Sequence, residues 1–251
     1  MFQYNSKILS ILREIGFKSQ GSVGDIPSQW ADDMRIVHSF ELPNDVLTRE
    51  EVRTICQEPA NDPLMAYLVV MAWGAQGRGP GGRRQVQQAW ENQEKLHENL
   101  TKIKNGKLTR EEEYDLFTNE GEITGLGPSY FTKLLYFFSP NPTRYIMDQW
   151  TTKAIILLTG KNIIRHSNQG PTKYNTGKNY EIFCRVIEDL VNKIRVKSGN
   201  DVEQILFSFG SVKRQPRGEF RQLIINEWYK RPQLPRYRHE DAMKFIMNED
   251  V

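Results

Sequence analysis

Three kinds of residue near the middle of the chain stand where they could do chemistry: the glycine pair of Gly125-Leu126-Gly127, the aspartate Asp148, and the lysines Lys133 and Lys153. A tight turn with two glycines lets backbone approach a phosphate closely, and the free amides of the next helix's first turn would point at it. The same pattern also serves as a plain helix-ending turn. Asp148 directly precedes Gln149 to Leu158, a segment that reads as a helix, so by itself it is a good N-cap. Lys133 stands one helical turn beyond Ser129 on the same face. The histidines, His38, His97, His166 and His239, are scattered without ligand spacing, so no metal is implied, and structural or surface roles are their default. Cys56 and Cys184 have no recognisable His or acid beside them and read as buried apolar residues.

Helices must position these groups. Asn5 to Ile15 carries apolar residues at helical spacing, and Thr48-Arg49-Glu50-Glu51 is a capping box opening a helix to about Glu58. Leu64 to Trp73, apolar on every side after Asp62-Pro63, predicts a helix buried in the core. Gly74 to Arg84 holds five glycines and three arginines without a GxxxxGK[ST] motif, and reads as a flexible connection or a contact with a nucleic-acid backbone. Gln85 to Ile103 predicts one polar-faced helix, Thr109 to Glu112 a second capping box, and Ser129 to Phe138 a helix with an apolar face. Ser139-Pro140-Asn141-Pro142 forces a break before Asp148. Tyr180 to Val196 is amphipathic, and Asp201 is expected to open the next helix with Gln204 in the box position. Ser19 to Asn44 reads mainly as loop with short elements, no run of alternating strands stands out, and the expected class is all-α.

Composition narrows the partners. The chain has 251 residues, with 34 Lys+Arg against 31 Asp+Glu, and 38% hydrophobic residues can build a core. Two cysteines cannot supply a disulfide framework, a four-cysteine zinc site or a four-cysteine iron-sulfur cluster. The first residues, MFQYNSKILS, lack the pattern of a secretory signal, and Leu64 to Trp73 is too short to span a bilayer, so a soluble cytoplasmic protein is expected. Between Ser211 and His239 eight Lys or Arg, including Lys213, Arg214 and Arg217, face two acids, so that segment is locally +6 in a chain of net charge +3. Such asymmetry suits a surface that meets a polyanion, or a solvated basic face.

Taken together, the Gly-x-Gly hairpin, a helix, a Pro-rich turn and an Asp at the next helix start resemble the helix-hairpin-helix DNA glycosylases. The run FTKLLYFFSPNP…IMDQW looks most like their bacterial and archaeal 8-oxoguanine-glycosylase-like branch. The resemblance runs over Glu122 to Gly160. It implies an all-helical unit over residues 1–251 with two lobes and the DNA and base site between them. The hairpin and catalytic lobe would cover about 64–160, and the second lobe would come from both chain ends. It makes Asp148 the catalytic aspartate and Lys153 the basic residue that commonly follows it. Gly125, Gly127, Ser129 and Lys153 would bind the DNA, as would Lys213, Arg214 and Arg217 of the basic segment. The lysine of the strand-cleaving members corresponds to Ser129, as in the monofunctional branch, while Lys133 one turn on keeps a second catalytic candidate in place.

The chemistry implied is hydrolysis of the bond between a flipped base and deoxyribose. A carboxylate would offset the positive charge that develops on the sugar. Trp73, Trp150, Phe207 and Phe209 are candidates to replace the lost stacking. The base would be 8-oxoguanine-like, or a bulky hypermodified phage base such as glucosylated hydroxymethylcytosine removed in antiviral defence. DNA carrying a modified base is the expected partner, with no cofactor, metal, membrane or obligate protein partner. The rival reading is a helix-hairpin-helix module that grips DNA without chemistry; Asp148 followed by Lys153 separates the two.

Overall fold

The computed structural model describes residues 2–15, 23–77, 81–207 and 219–230. Its described residues form twelve α-helices, one 3-10 turn and a two-stranded β-hairpin, an all-α fold. They fall into two compact units, one of Gln20–Arg144 and the other of Met1–Ser19 with Tyr145–Val251.

The Gln20–Arg144 unit is built around α4 (Pro63–Trp73). The Asp62 carboxylate accepts from the Leu64 amide at 2.7 Å and Pro63 starts the first turn, so the helix begins where its sequence signal lies. Ala66 to Ala72 are fully buried, because α2 (Pro27–Met34), α3 (Arg49–Gln57), α6 (Gln93–Lys104) and α8 (Pro128–Phe138) pack around α4. Both predicted capping boxes form, Thr48 with Glu51 on α3 and Thr109 with Glu112 on α7 (Arg110–Asp115). The expected single helix from Gln85 to Ile103 is instead two, α5 (Gly82–Trp90) and α6. Its buried residues run Val86, Ala89, Trp90 and then Leu96, Leu100, Ile103, and the six-residue step from Trp90 to Leu96 breaks the three-and-four spacing. Asn92 takes the kink, its side-chain amide donating to the Gln88 carbonyl at 2.8 Å. At the far end of α8, Ser139 and Arg144 both bind Glu113, the latter at 2.6 Å, in a buried cluster that anchors the Pro-rich turn; burial raises the Glu113 pKa against the opposing pull of Arg144.

In the other unit α9 (Gln149–Thr159) is the central helix, buried from Thr151 to Thr159. It packs against α1 (Ser6–Ile15), α10 (Gly177–Ile194), α11 (Gly199–Phe207), α12 (Glu219–Lys230) and the strand β2 (Gly170–Pro171), which pairs antiparallel with β1 (His166–Ser167). The helix after α10 starts before Asp201 rather than at it. The Ser198 hydroxyl accepts from the Asp201 amide at 3.2 Å, while the Asp201 carboxylate accepts from the Ser198 amide at 3.0 Å, so Asp201 is the third-residue partner of the box and Ser198 its cap. Among the described residues no helix is long and apolar enough to cross a membrane.

Candidate active site

The glycine hairpin belongs to the Gln20–Arg144 unit. Gly125 has φ +86°, and a Cβ there would lie 2.0 Å from the Gln85 carbonyl oxygen, so only glycine fits. Its own carbonyl accepts from the Gln76 side-chain amide at 3.2 Å, and the Gln76 carbonyl in turn accepts from the Trp30 indole at 2.9 Å. The first residues of the glycine-rich loop after α4 therefore brace the hairpin, a packed role where a loose connection was expected; Arg78 in that loop lies outside the described residues. Gly127 differs from Gly125. It is the N-cap of α8 at φ −82°, is exposed, and has nothing within 4 Å of where a Cβ would be. Pro128 has no amide, and among the described residues the Gly127 and Ser129 amides donate to no acceptor. Two free amides at the start of an eleven-residue helix, beside the open position at the Gly127 Cα, are groups able to bind an anion's oxygen.

Lys133 sits on α8 one turn after Ser129. Its ammonium donates to the Ser129 carbonyl and lies 4.9 Å from the centre of the Tyr130 ring, and its stem passes against Gly74. Trp73 is in the core of the same unit, 7% exposed, edge-on to Phe137 at 4.9 Å and beneath the Arg49 guanidinium.

Asp148 belongs to the other unit and is 8% exposed. Its Oδ1 accepts from the amides of Trp150 at 2.8 Å and Thr151 at 2.9 Å, with the Thr151 hydroxyl 3.1 Å away. The Thr151 hydroxyl also accepts from the Asp148 amide at 2.9 Å, which closes a capping box. All of the capping falls on Oδ1. Oδ2 has no hydrogen bond among the described residues. One carboxylate thus anchors α9 with one oxygen and presents the other, and the anchoring bonds fix its direction.

Around it lies a cluster of rings and cations, all within the same unit. Lys153, 6% exposed, places its ammonium 5.0 Å from the Trp150 ring centre and 5.4 Å from that of Trp228 on α12. Arg221, also on α12, stacks its guanidinium 4.6 Å over Trp150 and 4.8 Å over Phe207, and donates to the Phe207 carbonyl at 2.6 Å. His166 lies 5.1 Å from Trp228, and burial, reinforced by the charge of Lys153, pushes its pKa down to about 4. The structure therefore brings Asp148, Trp150, Lys153 and Phe207 together in one unit, and Gly125, Gly127, Ser129, Lys133 and Trp73 in the other. Phe209, Lys213, Arg214 and Arg217 lie outside the described residues. Sequence reasoning missed Arg221, Trp228 and His166 as site residues. Phe220, Ile224 and Trp228 at four-residue steps do mark a helix there, but which helix it covers depends on contacts with α9 from far along the chain.

A family model described as "Putative 8-oxoguanine DNA glycosylase OGG-like protein" matches residues 20–207, more than half of the chain. No curated protein and no solved structure matches.

Proposed function

The chain belongs to the OGG-like 8-oxoguanine DNA glycosylase family, and from that premise we propose that it hydrolyses the bond between a modified base and its deoxyribose, with Asp148 as the catalytic carboxylate. The observation that carries this reading is the division of labour within Asp148. The capping bonds all fall on Oδ1 and fix the direction of the carboxylate, so Oδ2, without a hydrogen bond among the described residues, is an oxygen held in a set direction, which is what a developing sugar cation requires. In this reading Oδ2 offsets the positive charge on the sugar and accepts a proton from the attacking water. The two free amides at Gly127 and Ser129 take a backbone phosphate, and the basic segment with Lys213, Arg214 and Arg217 adds further phosphate contacts. Water is the nucleophile, because Ser129 occupies the position of the strand-cleaving lysine and the Lys133 ammonium is already engaged by the carbonyl of its own helix. The base is 8-oxoguanine-like, or a bulky hypermodified base of phage DNA such as glucosylated hydroxymethylcytosine.

The test is incubation with duplex oligonucleotides carrying a panel of modified bases, scored for free base and abasic sites. Release of a base by the wild-type protein and not by Asp148→Asn supports the reading. Tight DNA binding with no base released from any duplex would instead leave a DNA-gripping module.

A further inference from the structure

Lys153 is the charged side chain that capping, packing and phosphate binding leave unexplained. It is 6% exposed, yet its ammonium forms no hydrogen bond and no ion pair among the described residues. Its neighbours are ring faces, Trp150 at 5.0 Å and Trp228 at 5.4 Å. Cation–π contacts of this kind offset only part of what a charge loses when water is drawn away from it. The ammonium's N–H donors thus find no protein acceptor among the described residues, and an acceptor on a ligand can take one. A phosphodiester, which is bulky and strongly hydrated, suits a fully exposed lysine; a planar heterocycle suits a lysine whose stem is covered and whose ammonium is bordered by two half-buried indoles.

We propose that Lys153 serves the base rather than the backbone: it donates a proton to the departing base as the glycosidic bond breaks. The inference rests on the glycosylase reading of Asp148. When the bond between C1′ and the base nitrogen breaks, its electron pair goes to the base, and a neutral base would leave as an anion. The Lys153 ammonium gives a proton to an acceptor atom of that base and becomes a neutral amine. Water adds to C1′ and passes a proton to the Asp148 carboxylate, and solvent returns that proton to the amine. The products are free neutral base and an abasic sugar, with both groups restored. Charge separation in the transition state, positive on the sugar and negative on the base, is then met by a carboxylate and an ammonium five residues apart on one helix.

The surroundings fit this role. Burial lowers the pKa of Lys153, which makes it a better acid than an exposed lysine, and Asp148 opposes that shift only in part. Of the other titratable or charged groups near it, His166 is neutral at pH 7 and Arg221 is a second cation beside Trp150. The two cations beside Trp150 suit a neutral base rich in carbonyl or ring-nitrogen acceptors. They disfavour a base already cationic through N-alkylation.

The experiment compares wild type, Lys153→Met, Lys153→Arg and Asp148→Asn in single-turnover release. The duplexes carry 8-oxoguanine or glucosylated hydroxymethylcytosine, each with a series of ring substituents that make the base a progressively better leaving group. Lys153→Met is expected to slow the parent base about a hundredfold or more, with the deficit shrinking as the leaving group improves. Lys153→Arg, which keeps the charge but has no proton to give near neutral pH, should show the same sensitivity. Asp148→Asn should be inactive across the series. A deficit that is absent or constant along the series overturns the proposal, as does full activity in Lys153→Arg. A fall of about 0.9 in the log-log salt slope of DNA binding in Lys153→Met, the signature of one lost phosphate contact, also overturns it. Release by wild type that survives unchanged in Lys153→Met refutes the role of Lys153 alone. Failure of wild type to release any base refutes the glycosylase reading, and this inference with it.

Discussion

Replacing Asp148 with asparagine separates the two jobs that one side chain performs. The asparagine carbonyl can still accept from the Trp150 and Thr151 amides, now at 2.8 and 2.9 Å from Oδ1, and asparagine ranks with aspartate as an N-cap. What the folded protein loses is the interaction of a negative charge with the start of α9, roughly 0.3 to 1 kcal/mol and up to about 2 where partly buried. The transition state loses more. Removing one preorganised group that faces developing charge costs on the order of a hundred- to a thousandfold in rate, about 2.7 to 4 kcal/mol. Single-turnover base release from the active duplex should therefore fall at least a hundredfold, with thermal unfolding shifted only slightly and DNA affinity retained. Asp148→Ala provides the contrast, since it also removes the cap, at about 1 kcal/mol, and should be both inactive and visibly less stable. If Asp148→Asn releases base at the wild-type rate while Asp148→Ala is merely unstable, Asp148 is a cap and nothing more.

The hairpin glycines should respond differently to alanine. Gly125→Ala meets the Gln85 carbonyl at 2.0 Å from a positive φ and should destabilise the protein by at least about 1 to 3 kcal/mol in denaturant unfolding. Gly127→Ala, at φ −82° with open space, should fold normally but bind duplex DNA more weakly in fluorescence anisotropy; equal DNA affinity would remove Gly127 from the interface. His166 has a folded pKa of about 4 against 6.5 when unfolded, so the stability it contributes is complete above pH 6.5 and is lost as pH falls toward 4. The loss should reach about 3 kcal/mol, and His166→Phe should flatten that part of the stability profile; an unchanged profile in the variant would exclude His166 as its source. Borohydride should trap no protein-DNA adduct with the wild-type protein, and the abasic strand should stay intact until heated with base. An adduct that disappears in Lys133→Ala would show that Lys133, and not water, attacks the sugar.

Much of the fold was legible because its signals are local. The capping boxes at Thr48 and Thr109, the Asp62-Pro63 start of α4 and the cap at Asp148 are all satisfied within three residues, so the sequence of each segment suffices to place its helix start. The glycine hairpin and Asp148 were legible for the same reason, each being a turn or cap beside a helix. The α5–α6 break was harder to read. Helical propensity runs through Glu91 and Asn92, and the change of phase between Trp90 and Leu96 acquires meaning only when two different surroundings bury the two stripes. The cap at Ser198 was misplaced by three residues because serine and aspartate both cap well and the backbone alone decides which does so.

By itself the sequence determined the helical class, the helix starts, and the residue types that stand at the hairpin and before α9. Only the tertiary structure decided that Gln76 holds the Gly125 carbonyl, that the capping of Asp148 falls on one oxygen and leaves the other, and that Lys153 lies between Trp150 and a tryptophan of α12. The physical reason is that a cap is a bond between near neighbours in the chain. Burial of a charge, in contrast, is set by every segment that folds over it, and the rings that cover Lys153 come from segments that meet only when the chain has folded.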